Sequence, residues 1–166
     1  MTSKVSLVWH ERHIDIEYTW VGVAAAEAPV MVFLHEGLGS VAMWKDFPDT
    51  LCQQLNMRGL VYSRPGYGTS TPRTNDEQWT ADFLNKQATD ILPPLLQALN
   101  ISRPWLFGHS DGGSIALLFA AHFPEALAGA IVIAPHIFVE NISVESIRIV
   151  REAYLHQGLR EKLARY

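Results

Sequence analysis

The chain has 166 residues, 48% apolar and 18% charged, which excludes a disordered polymer and is enough for one domain with a real core. Seventeen acidic against thirteen basic side chains give a net charge of −4, so there is no electrostatic case for gripping nucleic acid or an anionic membrane. One cysteine, Cys52, excludes an internal disulfide and a thiolate-rich metal site.

The amino terminus, MTSKVSLVWHERHIDIEYTW, is too polar for a secretory leader. No apolar run is long enough to span a bilayer, and a cytoplasmic location is expected. Val5–Trp9 and His13–Trp20 alternate as two strands with a tight turn near Glu11–Arg12. Gly22–Pro29 is a small-residue connector, and Val30–Leu34 is a continuous apolar run expected of a strand covered on both faces. A Gly-rich turn precedes a predicted helix over Ala42–Met57, with Cys52 as a small buried helix residue. Leu60–Tyr62 is a short strand that runs into the turn-rich loop Arg64-Pro65-Gly66-Tyr67-Gly68.

Asn75–Thr80 offers helix-start chemistry, and Ala81–Leu99 reads as a helix that Pro93 and Pro94 must kink or restart. Pro104–Phe107 is a strand, Ser114–His122 a helix, and Ala130–Ile133 a buried strand closed by Pro135. Beyond residue 29 the rhythm β-α-β-α-β-α-β predicts an α/β fold: a mainly parallel sheet with helices on both faces, led by an antiparallel pair. From Ser143, apolar residues Ile147, Val150, Tyr154, Leu155, Leu159 and Leu163 recur at helical spacing. They predict a helix that reaches Tyr166 without a Gly or Pro stop.

Gly108-His109-Ser110-Asp111-Gly112-Gly113 lies between a predicted strand and a predicted helix. Gly-x-Ser-x-Gly in that context suits a nucleophile on a turn too sharp for side chains two positions either way. The turn would lift the Ser110 hydroxyl above the strand ends and set the Asp111 N–H at a helix N-terminus, facing a developing oxyanion. A second N–H is expected from His35-Glu36-Gly37-Leu38-Gly39-Ser40 at the end of the first parallel strand, from Gly37 first and Leu38 next. The candidate pocket residues are Leu38, Trp44, His109, His136, Ile137 and Phe138.

These residues resemble the α/β-hydrolase superfamily over about residues 4–135. His35–Ser40 resembles its oxyanion loop, usually His-Gly-x-Pro or His-Gly-x-Gly. Arg64–Ser70 resembles its Asp-x-Pro-Gly-x-Gly-x-Ser loop, and Gly108–Gly113 its nucleophile elbow. Glu36 replaces the usual Gly, and Ser63 stands where the family often has a structural Asp. Serine at position 110 implies the serine branch rather than the relatives that open epoxides with an Asp nucleophile.

The resemblance places the triad acid and then the His after later strands, for which this chain has no counterpart. Glu140 and His136 are the local candidates, both weaker on position. The chain therefore reads as a hydrolase core, residues 1–135, followed by the start of a helical lid, residues 136–166. It is cut short after the strand that follows the elbow, within a protein of roughly 250–300 residues. The strand Ala130–Ile133 should then be an uncovered apolar edge. Without acid and base, hydrolysis should fall by on the order of 10⁴–10⁶.

The implied function is attack by Ser110 on a small ester, thioester, amide or related acyl substrate, with no metal or organic cofactor. The alternatives are a non-catalytic binding or interaction protein on a decayed hydrolase scaffold, and a fragment completed by a second chain. The expected partner is the small acyl substrate, with no nucleic acid and no membrane; substrate identity and oligomeric state stay open.

Overall fold

The computed structural model describes residues 2–74 and 79–165. The helix start expected at Asn75–Thr80 falls mostly on residues 75–78, outside the described residues. The chain divides into two compact units, Met1–Pro135 and His136–Tyr166.

The first unit is a six-stranded sheet: β1 (Ser3–Trp9), β2 (Arg12–Gly22), β3 (Val30–Leu34), β4 (Arg58–Tyr62), β5 (Trp105–His109) and β6 (Gly129–Ile133), in the order β1-β2-β4-β3-β5-β6. β1 and β2 are antiparallel, and β2 is antiparallel to β4. The pairs β4-β3, β3-β5 and β5-β6 are parallel, as the alternation of strands and helices predicted, but β6, expected as a buried strand, has no buried residue, since β5 is its one neighbour in the sheet. The β1-β2 turn sits one residue earlier than expected: His10 and Glu11 take φ of 49° and 63°, the left-handed geometry that matches a hairpin's twist.

Side-chain alternation sends successive residues to two cores. Val32, Leu34, Leu60, Tyr62 and Leu106 join one core. Met31, Phe33, Val61 and Phe107 join the other. The first core is closed by α3 (Leu92–Ala98), through Leu92, Leu95 and Leu96, and by α4 (Asp111–His122), through Ile115, Ala116 and Phe119. The second is closed by α1 (Phe47–Gln54), where Cys52 is buried and its thiol is pushed up to about 11 by desolvation and the nearby Asp49 charge.

Two predicted helices are interrupted. The one expected over Ala42–Met57 is a 3-10 turn at Ala42–Trp44 followed by α1, with Lys45 at φ 53° breaking the path between them. The one expected over Ala81–Leu99 is α2 (Phe83–Lys86), a π-helical turn at Gln87–Ile91 and then α3. Pro93 and Pro94 fall in the first turn of α3, directly after the π-helical turn, so the path is widened and restarted where the two residues bring no N–H donor.

The second unit carries α5 (Asn141–His156) and α6 (Leu159–Leu163). Gly158, in the left-handed region at φ 72°, ends the first helix and starts the next. It is the stop signal that the apolar spacing concealed. Among the described residues no helix is long and apolar enough to cross a membrane.

Candidate active site

Ser110 sits between the last residue of β5 and the first of α4 at φ 54° and ψ −117°. A residue with a Cβ holds such a backbone only under constraint, at a cost of about 1–3 kcal/mol. Three features hold it. The Ser110 N–H donates to the Ile133 carbonyl of β6 at 2.9 Å, and the Ser110 carbonyl accepts the Ser114 N–H at 3.0 Å. A Cβ on Gly108 would collide with the Gly112 carbonyl, as the sharp turn implied. A Cβ on Gly112 would collide instead with the Leu34 carbonyl at the end of β3, so this glycine is needed for close approach of elbow and strand.

The Asp111 N–H is the first of α4 and has no acceptor within the helix. In the loop after β3, the Leu38 N–H donates to Glu36 Oε2 at 2.6 Å. That bond occupies the Leu38 N–H, the second-choice donor, and gives Glu36, the departure from the usual Gly, a local task. Gly37 is left with its N–H unpartnered among the described residues. Its ideal Cβ position is 3.2 Å from Asp111 Oδ2, so loop and elbow are adjacent.

His35 has both ring nitrogens engaged: Nε2 accepts the Arg64 N–H at 3.0 Å, so Nδ1 carries the proton and donates to the Glu36 carbonyl at 2.7 Å. Burial, then the Arg64 charge, hold its pKa well below the ordinary 6.5, against a smaller opposing pull from the bond to Glu36. A neutral ring with both nitrogens committed orients the loop and takes no proton from Ser110.

Two residues complete the frame: Arg64, which the sequence offers only as part of a turn-rich loop, and Glu17, which no motif includes. Arg64 is buried. Its guanidinium donates to the Glu36 carbonyl at 2.9 Å, approaches Asp111 Oδ2 at 3.4 Å and lies 4.8 Å over the Tyr67 ring. Glu17 of β2 is also buried, and its Oε2 accepts from the Ser63 hydroxyl at 2.8 Å and from the Thr69 N–H at 3.0 Å. Ser63 Oγ in turn accepts the Val41 N–H at 2.9 Å. The carboxylate that the resemblance expected at position 63 is thus supplied from a strand 46 residues earlier. The serine at 63 was the available signal for it, since a loop short of its acid needs another.

Of the pocket candidates, Trp44 and His109 line a cleft of about 200 Å³ together with His35, Glu36, Gly39 and Met43. Trp44 also stacks on Phe47 at 5.9 Å and meets Phe33 edge-on, so it packs the core and walls the cleft at once. Leu38 is partly exposed and is not among the lining residues of that cleft. His136, Ile137 and Phe138 open the second unit, with Ile137 and Phe138 exposed. Glu140 immediately precedes α5. Among the described residues no group of three or more His, Cys, Asp or Glu could hold a metal ion.

A profile for the α/β hydrolase fold matches residues 29–161. The chain is similar to epoxide hydrolase 4 of Mus musculus, 28% identical over 145 residues, covering 85% of this chain and 38% of that protein. It is also similar to a putative carbamate hydrolase, RutD, of Pantoea ananatis, 30% identical over 143 residues, covering 86% of this chain and 49% of that one. Among solved structures, a carboxylesterase study of the thaumarchaeon Nitrososphaera gargenis gives a TM-score of 0.74 at 25% identity, covering 93% of this chain and 54% of that one. The chain thus spans about 38% to 54% of the length of these relatives. With its strand order, its elbow and the match over residues 29–161, the chain belongs to the α/β hydrolase fold family.

Proposed function

We propose that the protein is a serine hydrolase of small esters, thioesters, amides or related acyl compounds, with Ser110 as its nucleophile. The observation that carries this reading is the constrained backbone of Ser110, φ 54° between β5 and α4, beside the Asp111 and Gly37 N–H groups, which have no acceptor among the described residues. A strained serine at a helix N-terminus has a use in acyl transfer, where negative charge develops within reach of those N–H groups. The names of two of the three relatives, a carbamate hydrolase and carboxylesterases, support the acyl class, while the third is an epoxide hydrolase and the serine at position 110 is what sets this chain apart from an Asp nucleophile.

In this mechanism Ser110 Oγ attacks the substrate carbonyl and gives up its proton to a histidine base. The carbonyl oxygen becomes an oxyanion held by the Asp111 and Gly37 N–H groups. Collapse expels the leaving group with the proton returned by the histidine, and water then releases the acyl group by the same route. The base and its orienting carboxylate are assigned to a part of the protein outside these 166 residues, in keeping with the share of the relatives that the chain spans. The cleft beside Trp44 and His109 receives the acyl group, and residues 136–166 begin a lid.

The test uses the product of the complete reading frame and a series of p-nitrophenyl esters. Ser110→Ala should lower kcat by roughly 10⁴–10⁶ with a folded protein. A fluorophosphonate should label Ser110, read by peptide mass spectrometry. Turnover that survives Ser110→Ala sinks the serine mechanism, and a wild type that binds acyl compounds without turning them over points to the binding-protein alternative.

A further inference from the structure

The guanidinium of Arg64 touches both segments that carry the proposed oxyanion donors. Nη2 donates to the Glu36 carbonyl at 2.9 Å, and the same carbonyl accepts His35 Nδ1–H at 2.7 Å and the Gly39 N–H at 3.1 Å. The Glu36 carbonyl and the Gly37 N–H belong to one planar trans peptide, so they point in opposite directions. Three donors on the oxygen therefore fix where the Gly37 N–H points. Nη1 and Nη2 also reach Asp111 Oδ2 at 3.5 and 3.4 Å, and Asp111 is the residue that carries the other donor.

The Asp111 carboxylate raises a second point. It lies beside Gly37, where the reaction would build negative charge. Unneutralised, it would oppose the oxyanion; the buried guanidinium next to it cancels that field.

Resting on the serine hydrolase reading, we infer that Arg64 is a positioning residue for the oxyanion hole: one buried guanidinium fixes the Glu36–Gly37 peptide and neutralises Asp111 beside it. Arg64 is 1% exposed, and its guanidinium meets the Glu36 carbonyl, the Asp111 carboxylate and the face of the Tyr67 ring. Its Nε lacks a hydrogen-bond partner, so its burial is not explained by full satisfaction of the side chain. The residue fits the fork geometry of arginine, because one cation must meet a carbonyl and a carboxylate at once.

The test compares wild type, Arg64→Met, Arg64→Lys and the double variant Arg64→Met/Asp111→Asn in the complete protein, on one p-nitrophenyl ester. Removal of an oxyanion donor costs about 10²–10³ in kcat, so Arg64→Met should lose about 10²-fold in kcat with KM changed less than about threefold. Arg64→Lys, with charge but no fork, should lose about tenfold. The double variant should recover part of the loss, because it removes the uncompensated carboxylate; a merely structural role predicts further decline. Crystal structures of wild type and Arg64→Met read the same point without turnover, as a change in the direction of the Glu36–Gly37 peptide. If Arg64→Met does not fold, the Lys variant carries the kinetic test and its crystal structure the structural one.

A wild type inactive on every ester overturns the hydrolase reading, and the peptide direction still decides the positioning role. An active wild type whose Arg64 variants keep kcat within about threefold, or whose peptide direction is unchanged on substitution, overturns the inference.

Discussion

Arg64, His35 and Glu17 are 1%, 2% and 6% exposed at the loop end of the sheet, while Ile131 and Ile133 of strand β6 are 39% and 46% exposed. One region buries charge and polar rings; the other presents hydrocarbon to solvent. Both invert the usual distribution, and they do so for different reasons. At the loop end, every buried polar side chain named here meets hydrogen-bond partners that fix a loop: His35 and Arg64 the oxyanion loop, Glu17 the turn from Ser63 to Ser70. Along β6, strand β5 is the neighbour on one side, and the apolar residues are those of a strand built to be covered. The opposite edge sharpens the point, since β1 exposes Ser3, Lys4 and Ser6, the polar residues with which proteins discourage edge pairing. The buried polar groups are held by the loops they order, whereas Ile131 and Ile133 of β6 are left exposed.

The largest expected effect tests the buried side of this comparison. Glu17→Ala strands the Ser63 hydroxyl and the Thr69 N–H, and should lower unfolding free energy by about 3 kcal/mol in urea titrations. A loss under about 1 kcal/mol would mean that the carboxylate does not hold the loop.

His35 gives the next effect, and its sign follows from linkage. The folded ring binds a proton less tightly than the unfolded one, whose ordinary value is 6.5. Stability is therefore full above that value and is lost progressively as the pH falls from it toward the lower folded value. Thermal melts between about pH 7.5 and 5 should show a decline that is shallower in His35→Gln. Identical slopes in the two proteins would remove His35 from the account.

The smallest expected effect on stability tests the exposed side. Ile131→Lys with Ile133→Lys should change unfolding free energy by no more than about 0.5 kcal/mol each. The same pair should reduce the aggregated fraction in light scattering. A large destabilisation would show that these side chains are packed rather than presented.

Much of the fold was legible because it rests on local pattern. Apolar runs at Val30–Leu34 and Ala130–Ile133 gave strands, and their alternation with helices gave a parallel sheet. The elbow was legible because Gly108 is demanded by a close contact within the sharp turn; Gly112, equally visible in the motif, is demanded instead by the approach of Leu34 at the end of β3. The interruptions were less legible. Lys45 takes a left-handed backbone that nothing in its residue type announces, and Gly158 was masked by apolar spacing that continues across it.

The sequence by itself determined the order of strands and helices and the position of the strained serine. These follow from neighbours in the chain, where propensity, turn chemistry and periodicity act. Only the tertiary structure decided that Glu17 reaches Ser63, that Glu36 occupies the Leu38 N–H and leaves Gly37 open, and that Arg64 ties the Glu36 carbonyl to Asp111. The Glu17 and Arg64 contacts join residues far apart in sequence, and Leu38 turns back to Glu36 only in the folded loop. Hydrogen-bond geometry in three dimensions selects such partners, and residue type alone does not specify it.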